Sequence, residues 1–143
     1  ASDYAFPEPT GNREDLAVAL ALDPSSDVAG LTISDRLWTG HKERRERNQS
    51  SGKGFGYQIV SPDSPYTATI SARYYKDGSE ILIAQDGLNP RLLSVREAGN
   101  LQGFPDGFKF HTSKKQAYKQ LGNAVPVNVI RALAGGLLEH LTA

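Results

Sequence analysis

No uninterrupted apolar stretch in this chain exceeds seven residues, Leu16 to Leu22. A membrane-spanning helix needs about 20. The beginning of the sequence carries Asp3 and Glu8 where a secretory signal would carry basic residues. Elsewhere glycine and proline, 14 and 8 of 143 residues, punctuate the chain into short segments. A core must therefore be assembled from brief elements and dispersed apolar side chains, which make up 38 % of the residues. That suits one domain of ordinary size or part of a larger one. The first residue is Ala rather than Met, consistent with a processed start or a segment of a longer chain.

The pattern predicts an α+β fold with a small, mostly antiparallel sheet and flanking helices. Asn12 is placed to cap a helix over 13–22, with Asp15 in its first turn and Asp23-Pro24 as its stop. Ser34 is placed to cap a second, over 35–47. A glycine-rich loop, GKGFG at 52–56, follows. Three β-like runs come next, at 57–60, 66–75 and 80–84, with Asp77-Gly78 as a hairpin signal between the last two. Ser94 and Glu97 form a capping box that opens a helix to about Leu101. Two more helices are expected, over 113–121 with Gly122 as a left-handed C-cap, and from Pro126 to about Leu141. In the last one Val127, Ile130, Ala134, Leu137, Leu138 and Leu141 share a face.

Net charge is zero but unevenly spread. Residues 1–35 hold seven acids and one base; residues 36–143 hold fifteen bases and nine acids. A basic body suits a polyanion such as nucleic acid, although a solvated surface explains the same residues. The glycine loop lets backbone amides approach phosphates, and it lies between Arg44, Arg45 and Arg47 on one side and Phe55 and Tyr57 on the other. Read as a strand, 66–75 puts Thr67, Thr69, Ser71, Arg73 and Tyr75 on one polar face, and Ala68, Ile70 and Ala72 toward the core. Hydroxyls, a guanidinium and a phenol suit a DNA groove; ordinary solvent-facing β-formers are the other reading. His41, His111 and His140 have no metal-ligand spacing and read as surface or partly buried histidines. There is no serine-hydrolase elbow and no phosphate-loop spacing. Zero cysteines exclude disulfides, zinc-thiolate sites and a thiol nucleophile from these residues.

Two stretches carry a family resemblance. PRLLSVREA (90–98) followed by LQGFPD (101–106) resembles motif IX of the C5-cytosine DNA methyltransferases, and QAYKQLGNAV (116–125) resembles their motif X. The stretch from GKGFGY to YTATISARYYKDGSEILI is similar to the target-recognition region of one bacterial branch. The resemblance spans roughly residues 31–142 and leaves the acidic head outside. Val95 stands where the family usually has Pro, and Gly99-Asn100 where it has Ala-Arg. The family's earlier motifs, including its Pro-Cys nucleophile loop, are missing from this sequence.

The resemblance implies half of an enzyme, either the small subunit of a two-chain bacterial methyltransferase of a restriction-modification system or a C-terminal fragment. On this reading residues 1–30 are an acidic extension, 31–115 a target-recognition domain, and 116–143 a motif X turn plus a helix packing on a partner Rossmann-like catalytic domain. Double-stranded DNA is the substrate, and a large subunit brings the catalytic cysteine. S-adenosylmethionine is the cofactor, shared with that partner, and the setting is cytoplasmic. Asn123, Ala124 and Val125 are implied at the cofactor. Arg44, Arg45, Lys53, Phe55, Thr69, Ser71, Arg73 and Lys76 are implied at DNA, with Phe55 near the position that fills the space left by a flipped base. Arg96, Glu97 and Gly122 are implied as structural, and no residue here as catalytic or metal-binding. A DNA-binding protein derived from such an enzyme, without catalysis, is the alternative; a protein-interaction module using the last helix is a third.

Overall fold

A computed structural model describes residues 4–8, 18–23, 28, 30–54 and 56–142. The elements run α1 (Val18–Ala21), α2 (Asp35–Ser50), β1 (Ile59–Val60), α3 (Tyr74–Asp77), β2 (Leu82–Ile83), α4 (Val95–Leu101), α5 (Lys114–Asn123) and α6 (Val127–Thr142). The expected cap at Asn12 and Asp15 lie outside the described residues.

The sheet differs from expectation. Its two strands are parallel, pairing Ile59 with Leu82 and Val60 with Ile83. Single antiparallel bridges add Arg91 beside Ile83 and Thr32 beside Arg91. The run 66–75 is not a strand. Its residues 66–70 follow an irregular path and α3 begins at Tyr74. The expected alternation survives only in part: Ile70 is buried, as an inward position requires, but Ala68 is exposed and Ala72 only half-buried. The ladder positions this run would need are taken by β1 and β2 pairing directly. Asp77-Gly78 is no hairpin either: Gly78 closes α3 in the left-handed conformation at φ 58.

The helix signals fare differently because they are local. Ser34 accepts the Leu37 N–H, and Ser94 and Glu97 complete both halves of the capping box. Gly122 departs from expectation. It sits inside α5, which ends at Asn123, and it is not among the positive-φ glycines. Its backbone lies so close to Ser71 and Ala72 that a Cβ would overlap theirs.

The core gathers Val18, Val60, Ile70, Tyr74, Ile81, Ile83, Leu93, Ala98, Tyr118 and Leu121. Tyr74 organises it: its hydroxyl donates to the Ile81 carbonyl at 2.6 Å and accepts the Leu93 N–H at 2.9 Å. Tyr118 donates to the Leu93 carbonyl at 2.5 Å. Burial pushes the Tyr118 hydroxyl up to about 12 and that of Tyr74 well above the ordinary tyrosine range.

Arg91 and Glu97 meet under α4 as a forked pair, at 2.8 and 2.9 Å, with Glu97 fully buried. By contrast α6 buries none of its residues. Lys114–Thr142 has the length and apolar composition of a membrane span. It is two helices, because the chain turns extended at Ala124 and Pro126 follows.

Candidate nucleic-acid and cofactor-facing cleft

Helix α2 and the segment after it hold the glycine loop at both ends. The Gly52 and Lys53 N–H groups donate to Gln49 and Asn48 carbonyls at 3.1 and 2.8 Å. Beyond the loop, Tyr57 stacks edge-on to Trp38 at 4.8 Å, and the Arg45 guanidinium lies over the Tyr57 ring at 4.8 Å. Gly56 leaves the space that the Arg45 stem fills. Lys53 and Gly54 are exposed between these anchors; Phe55 lies outside the described residues.

Facing the loop is the irregular run 66–72. Gln58 fixes it, its side-chain carbonyl accepting the Ala68 N–H at 2.5 Å. Ser71 donates its hydroxyl to the Glu80 carboxylate and accepts the Arg73 N–H at 3.2 Å. Between loop and run lies a cleft of about 970 Å³, lined by Gly54, Gly56, Tyr57, Thr69, Ser71 and Glu80, with Gly122 and Asn123 at its end. A second cavity of about 210 Å³ lies between Thr67, Thr69, Gln102, Ala124 and Pro126.

The structure thus brings Thr69, Ser71 and Asn123 into one cleft, with Lys53 on its exposed loop. Arg73 and Lys76 are exposed at the start of α3 and within it. Arg44 is placed differently: it pairs with Asp77 at 3.1 Å and donates to His41 Nδ1 at 3.0 Å. Arginine only donates, so Nδ1 is the acceptor and Nε2–H faces the Asp77 carbonyl at 3.2 Å. His41 is therefore neutral. Burial, then the Arg44 charge, holds its pKa below the usual 6.5. Burial alone would raise Asp77, but hydrogen bonds from Arg44 and Ser79, with the Arg44 charge, hold its carboxyl below the usual 3.8.

Arg96 donates to the Pro105 and Phe108 carbonyls at 3.3 and 2.6 Å and lies over Phe110 at 4.8 Å. Gly99 makes room for the Phe110 ring. Ala124 N–H bonds back to the Leu121 carbonyl at 3.1 Å, while Asn123 and Val125 are exposed. Sequence reasoning missed Gln58 and Glu80. Both look like routine polar residues, and only the fold shows their side chains fastened to the cleft wall. Among the described residues no cluster of His, Asp or Glu is arranged to hold a metal ion.

The fold is shared by solved methyltransferases. The structure superposes on the S. pombe Dnmt2 methyltransferase with a TM-score of 0.71 at 20 % identity, covering 89 % of this chain and 43 % of that one. The chain belongs to the C-5 cytosine-specific DNA methylase family, whose pattern residues 2–139 match. It is 50 % identical over 99 % of its length to the Type II methyltransferase M.NlaX of Neisseria lactamica, and 52 % identical over 96 % to M.SsoII of Shigella sonnei. It spans 44 % and 36 % of those two relatives, less than half of either. The family match begins at residue 2, so the acidic head lies within it and not outside, as the motifs alone implied.

Proposed function

We propose that this region forms the target-recognition wall and the methyl-donor turn of a DNA cytosine-5 methyltransferase. The observation that carries the reading is the shared cleft, in which Thr69 and Ser71 stand beside Asn123 across the main-chain contact at Gly122. Duplex DNA enters along the glycine loop, with Lys53, Arg73 and Lys76 as exposed cations for phosphates or base edges and Thr69 on the cleft wall. By its match to the family position, Phe55 is assigned to fill the space left by a flipped base. Arg44 and Arg45 hold α2 and the loop stem. Arg96, Glu97 and Gly122 brace the scaffold.

The turn suits one side of an S-adenosylmethionine site. Asn123 offers an exposed amide that both donates and accepts, and Val125 offers an apolar contact. The cofactor, when bound, supplies the electrophilic methyl group; the turn only holds it. With no cysteine among these 143 residues, the nucleophile that attacks cytosine comes from polypeptide outside them, in a large subunit or the same longer chain. That catalytic portion also covers the apolar face of α6, and the assembly works on DNA in the bacterial cytoplasm.

The test is reconstitution. This region is mixed with the catalytic portion of a close relative, duplex DNA and labelled methyl donor. Methyl transfer to DNA only in the complete mixture is the expected result. Transfer by these residues alone would overturn the assignment. Specific DNA binding without transfer in any mixture would favour a non-catalytic binding protein.

A further inference from the structure

Gln102, just beyond the last residue of α4, is 7 % exposed. Two of its bonds converge on one connection. Its side-chain Nε2 donates to the Leu121 carbonyl at 2.5 Å. Its own carbonyl accepts the Val127 N–H at 2.8 Å. Leu121 lies in the last turn of α5 and Val127 begins α6. One residue therefore grips both ends of the turn that carries Asn123, Ala124 and Val125. Next to it Gly103 turns the chain at φ 76, and Asn128 of α6 packs against the open side of that glycine.

Packing does not explain a glutamine here. A leucine or methionine fills a similar volume without the desolvation cost of a buried amide. That cost is only partly offset, because Oε1 is buried with no hydrogen-bond partner among the described residues. The amide is thus retained at a site where an apolar side chain suits packing better, and its one made bond is to the turn. Because α6 buries none of its residues, packing within this region gives the turn little other hold on that side.

We propose that Gln102 is a positioning residue for the methyl donor, fixing the Asn123–Val125 turn at the height and angle needed to receive it. This rests on the reading of that turn as a cofactor wall. The test uses the complete enzyme, containing this region and the catalytic portion. Gln102→Met keeps the volume and removes the amide; Gln102→Glu keeps the shape and removes the donor to Leu121. Each is compared with wild type for the KM of S-adenosylmethionine, the Kd of S-adenosylhomocysteine by calorimetry, the KM of DNA, kcat, and the unfolding midpoint.

Both variants are expected to weaken cofactor affinity about tenfold, the factor that about 1.4 kcal/mol produces. The KM of DNA, and kcat at saturating cofactor, stay at the wild-type values. Unchanged cofactor affinity in both variants would overturn the proposal. So would a parallel loss of cofactor affinity, DNA affinity and kcat that follows the unfolding midpoint, which marks a residue acting only on the fold. Wild type is measured first: an assembled wild-type enzyme that binds no cofactor would overturn the functional reading itself, and this inference with it.

Discussion

A methyl group added at Gly122 would land on the main chain of Ser71 and Ala72. Backbone atoms cannot swing aside as a side-chain end can. Gly122→Ala is therefore expected to destabilise the protein by about 1–3 kcal/mol, despite alanine's better helix propensity. A lowered urea midpoint checks this; an unchanged or raised one refutes the contact. His41 supplies a pH-dependent counterpart. Its folded pKa lies below 6.5, so as pH falls the unfolded chain takes up the proton first. Its contribution is fully present above about pH 6.5 and is lost as pH drops toward the lowered folded value. The Asp77 contribution is lost only at lower pH still, as pH falls through a folded pKa below 3.8. Thermal midpoints measured between about pH 5 and 7 should fall on the acid side in wild type and flatten in His41→Gln. An equally steep slope in that variant would assign the dependence elsewhere.

At the scale of elements, α6 has two unlike sides. Leu133, Gly136 and His140 carry the N-terminal segment: the Tyr4 hydroxyl donates to the Leu133 carbonyl at 3.2 Å, and its ring meets His140 edge-on at 5.8 Å. Ile130, Leu137 and Leu141 lie further round the helix and are 48, 47 and 71 % exposed, joined by Leu138 at 62 %. An apolar strip of this kind drives association. Sedimentation of the 143-residue region alone should show concentration-dependent self-association, and Leu137→Glu with Leu141→Glu should reduce it and also weaken reconstitution. A monodisperse wild-type monomer would contradict this.

Element by element, legibility follows the range of the signal. Caps at Ser34 and Ser94 act within three residues and could be read directly. The run 66–75 could not, because its alternating Thr and Ala fit a strand whose partner positions are filled by residues 59–60 and 82–83. Arg44 read as a DNA contact because its neighbours are basic. Its ion pair with Asp77 spans 33 positions, a distance at which spacing carries no information. Gly122 was legible as a special glycine but for the wrong reason, since a close approach and a left-handed turn leave the same mark in a sequence. The turn at 122–125 and the segment 66–76 could each be singled out in the sequence; their meeting in one cleft could not.

For the whole molecule, the proposed contact with DNA makes the charge segregation testable. With the acids concentrated in residues 1–35 and the bases beyond, binding should weaken linearly in log–log plots against salt. Replacing Lys53, Arg73 and Lys76 together by Ala should reduce that slope by about 2–3. A filter-binding salt series decides it, an unaltered slope placing the phosphates on another face. The parallel pairing of 59–60 with 82–83 has a further consequence. The intervening excursion leaves the scaffold and returns to the very next strand, stitched at its stems by Gln58 to Ala68 and by Tyr74 to Ile81 and Leu93. Such an excursion is no free-hanging loop: Ile70 and Tyr74 within it belong to the core, so its course is folded together with the frame beneath it.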